Sequence, residues 1–244
     1  MKILFIDSKW KEEIVLDKKT LEHLKKQKIK SIALFADVQF LKLDKVKQQL
    51  KETEIEVLTT KAKRAEKEIQ ILGCNIYEDN FSESIIKEAD AIVYIGDGLF
   101  HPKALLLAQI GNKIKPIIIF DPASNSMRVI SEKEIQALIR KFKANIKIYM
   151  NARKVGILVT IKPGQQYLNL ALRLKEKLEK EEKKAFIFIS DSIDLKQLEN
   201  FPFIQAWVNS ACPRIGTDDS LNTSKPLINI REAFESVKWL EKMS

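Results

Sequence analysis

Two segments of the chain gather the side chains most able to do chemistry. Asn209-Ser210-Ala211-Cys212-Pro213-Arg214-Ile215-Gly216-Thr217-Asp218-Asp219 holds a thiol, a guanidinium, hydroxyls and two carboxylates in eleven consecutive positions. A loop meant only to connect does not need that inventory. A thiolate beside Arg214 is favoured in its ionised form, which a metal ligand and a nucleophile both require. The second segment is Gly96-Asp97-Gly98-Leu99-Phe100-His101-Pro102. Its glycines permit close backbone approach, and the helix it leads into offers unpaired amides to a carboxylate or phosphate. Turns of this kind also serve purely as connectors. Cys74 lies in a third segment, Gln70-Ile71-Leu72-Gly73-Cys74-Asn75, where a packed small hydrophobe is an equally good reading. Two distant cysteines are not a disulfide scaffold, and without a partner histidine nearby they do not complete a tetrahedral zinc site. His23 sits among helical lysines, as a solvated residue would. A Cys-His hydrolase built from Cys212 and His101 is conceivable, but no local signature supports it.

Ligands of open parallel sheets gather at the carboxyl ends of strands, and the elements needed to put these loops there are legible. Apolar runs rich in Ile, Val and Phe alternate with amphipathic segments of helical period, the pattern of α/β units around parallel strands. The expected strands are Ile3 to Ile6, Ile32 to Phe35, Ile55 to Leu58, Ala91 to Ile95, Pro116 to Phe120, Val155 to Thr160, Ala185 to Ile189, Gln205 to Val208 and Pro226 to Ile228. A helix is expected over Leu16 to Lys28. Ser131-Glu132-Lys133-Glu134 reads as a capping box that opens another, and Pro102 with Gly111 brackets a third. The order strand, Gln-bearing loop, helix, strand, polar loop, Lys-Pro strand occurs twice. The first copy runs from a strand ending at Val38-Gln39-Phe40 to Lys115-Pro116, and the second from Lys162-Pro163-Gly164-Gln165 to Lys225-Pro226. The fold class is therefore α/β, with two similar domains, each a small parallel-type sheet flanked by helices. An N-terminal strand-helix remnant of a third domain precedes them. The domains are expected at 1–29 (remnant, packed on the next), 30–150 (carrying Cys74) and 151–244 (carrying Cys212), with the main boundary near residues 148 to 154.

Composition limits the function classes. The 244 residues are 45 % hydrophobic and 31 % charged, with a net charge of +9. Most lysines alternate with glutamates, as in Leu174-Lys175-Glu176-Lys177-Leu178-Glu179-Lys180, the look of a solvated helix face and not of a nucleic-acid surface. Lys61-Ala62-Lys63-Arg64-Ala65-Glu66-Lys67, in an expected loop, is the one basic stretch that could face an anionic partner. An RNA-associated module would reveal itself by binding that falls steeply with salt. No apolar run is long enough to span a bilayer, and the first residues lack a signal-peptide core and cleavage site, so the expected location is the cytoplasm.

The segments Ile71-Leu72-Gly73-Cys74, Tyr94-Ile95-Gly96-Asp97-Gly98-Leu99-Phe100-His101, Asp121-Pro122, Lys162-Pro163-Gly164-Gln165 and Ala206-Trp207-Val208-Asn209-Ser210-Ala211-Cys212-Pro213-Arg214 with Asp218 resemble, in order and spacing, the second and third domains of the diphthamide synthase family. The resemblance covers roughly residues 30 to 230. It implies α/β domains that each contribute one cysteine to a four-iron four-sulfur cluster. It also implies S-adenosylmethionine as cofactor, cleaved reductively to a 3-amino-3-carboxypropyl radical that is added to a histidine of translation elongation factor 2. Cys74 and Cys212 would be cluster ligands. Gln39, Asp97, Gly98, His101, Asp121, Gln165, Arg214 and Asp218 would serve cofactor binding, while no catalytic residue is assigned.

The family's first domain, with its own cysteine, has as its counterpart here only about 30 residues with no cysteine. Three ways of working follow: a partner chain supplies the missing ligand, a non-cysteine ligand does, or the chain is an accessory subunit. A homodimer, or a heterodimer with a family paralogue, is expected. The main rival reading is a non-catalytic scaffold that binds a full-length paralogue or the elongation factor.

Overall fold

The computed structural model describes residues 9–217 and 223–243, and the chain divides into two compact units, Met1–Glu132 and Lys133–Ser244. In unit 1, Ser31–Ala36 forms β1 with its last five residues buried and no polar alternation, the mark of a parallel strand covered on both faces. It is joined by β2 (Glu56–Leu58), β3 (Ala91–Ile95), β4 (Ile117–Asp121) and β5 (Ser126–Val129) in the order β2-β1-β3-β4-β5. The first four strands are mutually parallel, and β5 turns back antiparallel on β4. The register is anchored where β3 begins: the Asp90 carboxylate accepts from the Lys30 and Ser31 amides at 2.9 and 3.1 Å. Those two bonds hold its pKa below the ordinary value.

Among the described residues, four α-helices accompany this sheet: α1 (Lys18–Lys26), α2 (Asp44–Glu52), α3 (Ile85–Glu88) and α4 (Phe100–Ala108). Asp17 caps α1, accepting from the Thr20 amide at 2.8 Å, the usual role of an aspartate at that position. Ile14, Leu16 and Leu24 share one buried core with Ile32, Leu34, Val46, Leu50, Val93 and Phe120, so the N-terminal segment is part of unit 1.

Unit 2 holds α5 (Glu132–Asn151, its first residue at the border), β6 (Lys154–Thr160), α6 (Leu168–Lys180), β7 (Lys184–Ser190), β8 (Ala206–Asn209), β9 (Leu227–Asn229), α7 (Ile230–Phe234) and α8 (Ser236–Lys242). Its four strands are all parallel in the order β7-β6-β8-β9. In α6 the buried residues Ala171, Leu174 and Leu178 recur at spacings of three and four, one stripe of an amphipathic helix.

In both units the chain leaves a central strand first toward one side and then returns to the other. The connection order therefore reverses between β1 and β3 in unit 1 and between β6 and β8 in unit 2. Such switch points open a crevice at the carboxyl ends of the strands, the common place for a ligand in open α/β sheets.

Several expectations are revised by the structure. The unit border lies at Glu132/Lys133 and not near 148–154, because α5 packs with unit 2: Asn145 donates to the Leu227 carbonyl at 3.3 Å and Tyr149 to that of Ala233 at 3.2 Å. β5 was not foreseen; its alternating exposure marks an edge hairpin strand. Val38–Phe40 is a 3-10 turn after β1 and not the end of the strand. Pro102 is the third residue of α4, where its missing N–H still costs no helical bond. The strand expected at Ile3 to Ile6 lies outside the described residues.

Candidate functional site

The switch point of unit 1 is occupied by a hydrogen-bonded group of three side chains. Asp37 directly follows β1, Tyr94 is the penultimate residue of β3, and His101 is the second residue of α4. Tyr94 Oη donates to Asp37 Oδ2 at 2.8 Å. His101 Nδ1 lies 2.9 Å from Asp37 Oδ1 and 3.2 Å from Tyr94 Oη. The Tyr94 ring is fully buried. Burial first, then the charge of Asp37 and its hydrogen bond, and then the charges of Asp97 and Asp121, hold the Tyr94 phenol far above its usual range. Gly96 is needed beside this group, because a Cβ there would lie 2.4 Å from Tyr94 Oη.

The Cys74 loop is fastened to the same end of the sheet. The Ile69 carbonyl accepts from the Ala36 amide at 2.8 Å, and the Ile71 amide donates to the Ala36 carbonyl at 3.1 Å, so Gln70 lies alongside the last residue of β1. Gln70 then accepts from the Glu66 and Lys67 amides. Asn75, itself buried, accepts from the Leu72 amide at 2.8 Å and donates to the Lys63 carbonyl at 3.1 Å. Cys74 is a free, half-buried thiol between these clamps. The Phe100 ring occupies the space a side chain at position 73 would need: a Cβ on Gly73 would sit 2.2 Å from it. Phe100 in turn packs edge-on against His101 with ring centroids 5.1 Å apart. The Gly-Cys loop and the His101 loop are thus neighbours within one unit.

The other unit 1 candidates are spread along this end. Asp97 and Gly98 are exposed in the loop from β3 to α4, with Gly98 at φ 61°, a conformation that favours glycine. Asp121 ends β4 and has local work: it accepts from the Ala123 amide at 2.9 Å and from Ser124 Oγ at 2.6 Å, closing the turn to β5. Gln39 lines a cavity of about 370 Å³ together with Trp10, Lys42, Asp44, Lys67 and Gln70.

In unit 2, Cys212 follows β8 and is likewise a free, half-buried thiol. Its carbonyl accepts from Asn209 Nδ2 at 2.8 Å, and the same amide group donates to Asn229 Oδ1 at 2.8 Å, while Asn209 Oδ1 accepts from the Ala211 amide. The Asn229 Nδ2 donor is buried without a partner among the described residues. Gly216 is fitted against this asparagine, since a Cβ there would lie 2.2 Å from Asn229 Oδ1. Arg214 is only 4 % exposed. Gln165 lies half-buried in the loop after β6, and its amide donates to the Lys162 carbonyl at 3.1 Å. Asp218 lies outside the described residues.

Sequence reasoning did not single out Asp37 or Asn229, and it quoted Tyr94 and Asn209 as members of motifs without giving either a role. A signal existed for the first: Asp37 is the polar residue that ends an apolar run at a strand's carboxyl end. Tyr94 reads as ordinary core until its hydroxyl is traced. Among the described residues no group of three His, Cys, Asp or Glu side chains is gathered tightly enough to hold a metal ion, and no helix is long and apolar enough to cross a membrane.

Comparison with known proteins places these features. The family model for a diphthamide synthesis protein matches residues 1–244. The 2-(3-amino-3-carboxypropyl)histidine synthase of Pyrococcus horikoshii is 34% identical over 163 residues, which are 67% of this chain and 44% of that protein. Subunit 1 of the Gallus gallus enzyme of the same name is 28% identical over 213 residues, covering 86% of this chain and 49% of that one. This chain thus spans about half the length of the curated relatives it matches. Among solved structures, Dph2 from Pyrococcus horikoshii with a 4Fe-4S cluster superposes with a TM-score of 0.71 and 28% identity, covering 91% of this chain and 61% of that one.

Proposed function

The chain belongs to the family of diphthamide synthesis proteins, and from that membership we propose that it takes part in the first step of diphthamide synthesis. In that step a 3-amino-3-carboxypropyl group passes from S-adenosylmethionine to a histidine of translation elongation factor 2. The observation that carries the reading is the placement of the two cysteines. Each is a free thiol in a clamped loop at the carboxyl end of its own unit's sheet, in a chain that the family model matches throughout.

A four-iron four-sulfur cluster suits these residues as far as they go. Thiolates are the ligands such clusters take, and each unit offers one, Cys74 in unit 1 and Cys212 in unit 2. The buried Asn229 side chain is tied to the Cys212 loop through Asn209, and its Nδ2 donor is left without a partner among the described residues. When bound, the cluster supplies the electron for reductive cleavage of the cofactor. Two thiols are fewer than a cluster needs, and a partner chain, such as a second copy or a family paralogue, or a non-cysteine ligand supplies the rest. This makes the protein a working subunit of the transferase, located in the cytoplasm with the elongation factor.

The residues of this chain bind and orient. Gly98, with its left-handed backbone, lets the loop after β3 approach a ligand closely, and Asp97 and Asp121 offer acceptors to its amino group. In unit 1 Gln39 and His101 are further polar candidates for cofactor binding; in unit 2 the candidates are Gln165, Asp218 and Arg214, whose planar fork of donors suits a carboxylate. The test is anaerobic reconstitution with iron and sulfide, alone and with a family paralogue, followed by electron paramagnetic resonance after dithionite reduction. A cluster signal that shifts with S-adenosylmethionine and weakens in Cys74→Ala and Cys212→Ala supports the reading. A signal indifferent to both substitutions rejects it in favour of a scaffold.

A further inference from the structure

We propose that Asp37 and Tyr94 are positioning residues: they hold His101 as the Nδ1–H tautomer and present its Nε2 as a hydrogen-bond acceptor for an N–H donor of the bound ligand at the β1/β3 switch point. The identity of that ligand rests on the function proposed above; the tautomer does not.

The protons leave little freedom. Tyr94 Oη has one hydrogen and spends it on Asp37 Oδ2 at 2.8 Å, so its oxygen is left as an acceptor. His101 Nδ1 therefore faces two acceptors, Asp37 Oδ1 at 2.9 Å and Tyr94 Oη at 3.2 Å. A bare nitrogen lone pair there would be repelled by both, so Nδ1 carries the hydrogen. In neutral imidazole the other nitrogen is then an acceptor. Nε2 has no hydrogen-bond partner among the described residues, and the side chain remains 19% exposed. Phe100 and Tyr94 flank the ring, with centroids 5.1 and 6.0 Å away, which leaves it little room to rotate. A histidine held at one nitrogen by a carboxylate and open at the other is the arrangement by which proteins orient an imidazole toward a ligand. Its position at the point where strand order reverses places it where ligands of open sheets bind.

The experiment uses full-chain protein labelled with 15N-histidine. The sequence has two histidines, His23 and His101, so His101→Gln assigns the signals. Long-range 1H–15N correlation distinguishes the tautomers, and wild type is expected to show His101 with hydrogen on Nδ1. Asp37→Asn offers an amide N–H to Nδ1 and is expected to invert the tautomer, while Tyr94→Phe keeps the Asp37 contact and retains it. Thermal melting shows whether each variant is folded. Three probes then separate the sources of the N–H donor. L-methionine carries the amino group and 4-(methylthio)butanoate lacks it, while 4-methylimidazole stands for an acceptor histidine. A shift of the Nε2 resonance with L-methionine and not with its desamino counterpart assigns the cofactor's amino group; a shift with 4-methylimidazole assigns the acceptor side chain.

Hydrogen on Nε2 in wild type overturns the proposal whatever the variants do. An Nε2 resonance that none of the probes moves overturns the ligand assignment and leaves a purely structural triad. Asp37→Asn that changes neither the tautomer nor group transfer sinks the positioning role while the proposed function stands. A correct tautomer in a protein that takes part in no transfer sinks that function instead.

Discussion

Replacing Tyr94 by phenylalanine removes one oxygen from a fully buried ring and should leave two signatures on stability. Near neutral pH the loss is a hydrogen bond to a carboxylate, worth about 1.5 to 3 kcal/mol. The Asp37 side chain is 13% exposed, so water recovers part of the loss and the lower end, about 1.5 to 2 kcal/mol, is expected. The second signature appears in alkali. Burial, then the charge and hydrogen bond of Asp37, raise the folded-state pKa of Tyr94 well above the ordinary 10.0. Above that ordinary value the unfolded chain releases the phenol proton while the folded chain keeps it. The unfolded state then binds fewer protons, so stability is present in full below about pH 10 and falls as pH rises, by up to about 1.4 kcal/mol per unit. Near pH 11 wild type has lost about 1.4 kcal/mol through this residue and Tyr94→Phe has lost none, so the two proteins nearly converge. Tyr149, also raised by burial, is common to both and cancels. The assay is urea unfolding across pH, followed by the fluorescence of Trp10, the only tryptophan of unit 1. Equal stability near neutrality, with parallel curves into alkali, would refute the Asp37–Tyr94 bond.

Other consequences follow from the close contacts. Gly73→Ala brings a Cβ within 2.2 Å of the half-exposed Phe100 ring; the ring can move outward, so stability should fall by only about 1 kcal/mol. Iron retained after reconstitution should fall as well, and the double variant with Phe100→Ala should restore it. Gly156→Ala meets Trp207 at 2.3 Å, and that ring is locked by Phe188 and Phe201 at 4.9 and 6.2 Å. Overpacking there should cost about 1 to 3 kcal/mol, read as a lower midpoint in thermal melting. Asn209→Ala strips partners from the Cys212 carbonyl, Asn229 Oδ1 and the Ala211 amide at once. A loss of about 2 to 4 kcal/mol is expected in urea unfolding, with faster release of iron to a chelator from the loaded protein.

The parallel strands were legible because each is an apolar run bounded by turn residues; Ala91 to Ile95 coincides with β3, and seven others agree within a residue or two at either end. β5 escaped notice because a half-exposed edge strand of four residues carries no apolar run. The unit border was misplaced because a long amphipathic helix looks alike whichever sheet it covers; tertiary contacts such as the Asn145 and Tyr149 bonds and the edge-on packing of Phe142 against Trp239 place α5 with unit 2. Within the candidate site, the cysteine loops announced themselves by residue type. Their supports did not. Asn75 and Asn209 act through backbone groups several residues away, and the Asp37–Tyr94 contact joins positions 57 apart, a pairing that only the strand order β1-β3 creates. Asp121 stands in a suggestive place and also has a local role that its residue type did not announce: its carboxylate accepts two bonds that close the hairpin turn.

The most direct test of participation in group transfer uses S-adenosylmethionine labelled in its carboxyl carbon, with elongation factor 2 as acceptor and a family paralogue present under anaerobic reduction. Label should enter the factor when the chain is included and fall to background with Cys74→Ala or Cys212→Ala. Transfer that is the same with the chain omitted, or unchanged by both substitutions, would contradict the assignment of these two thiols.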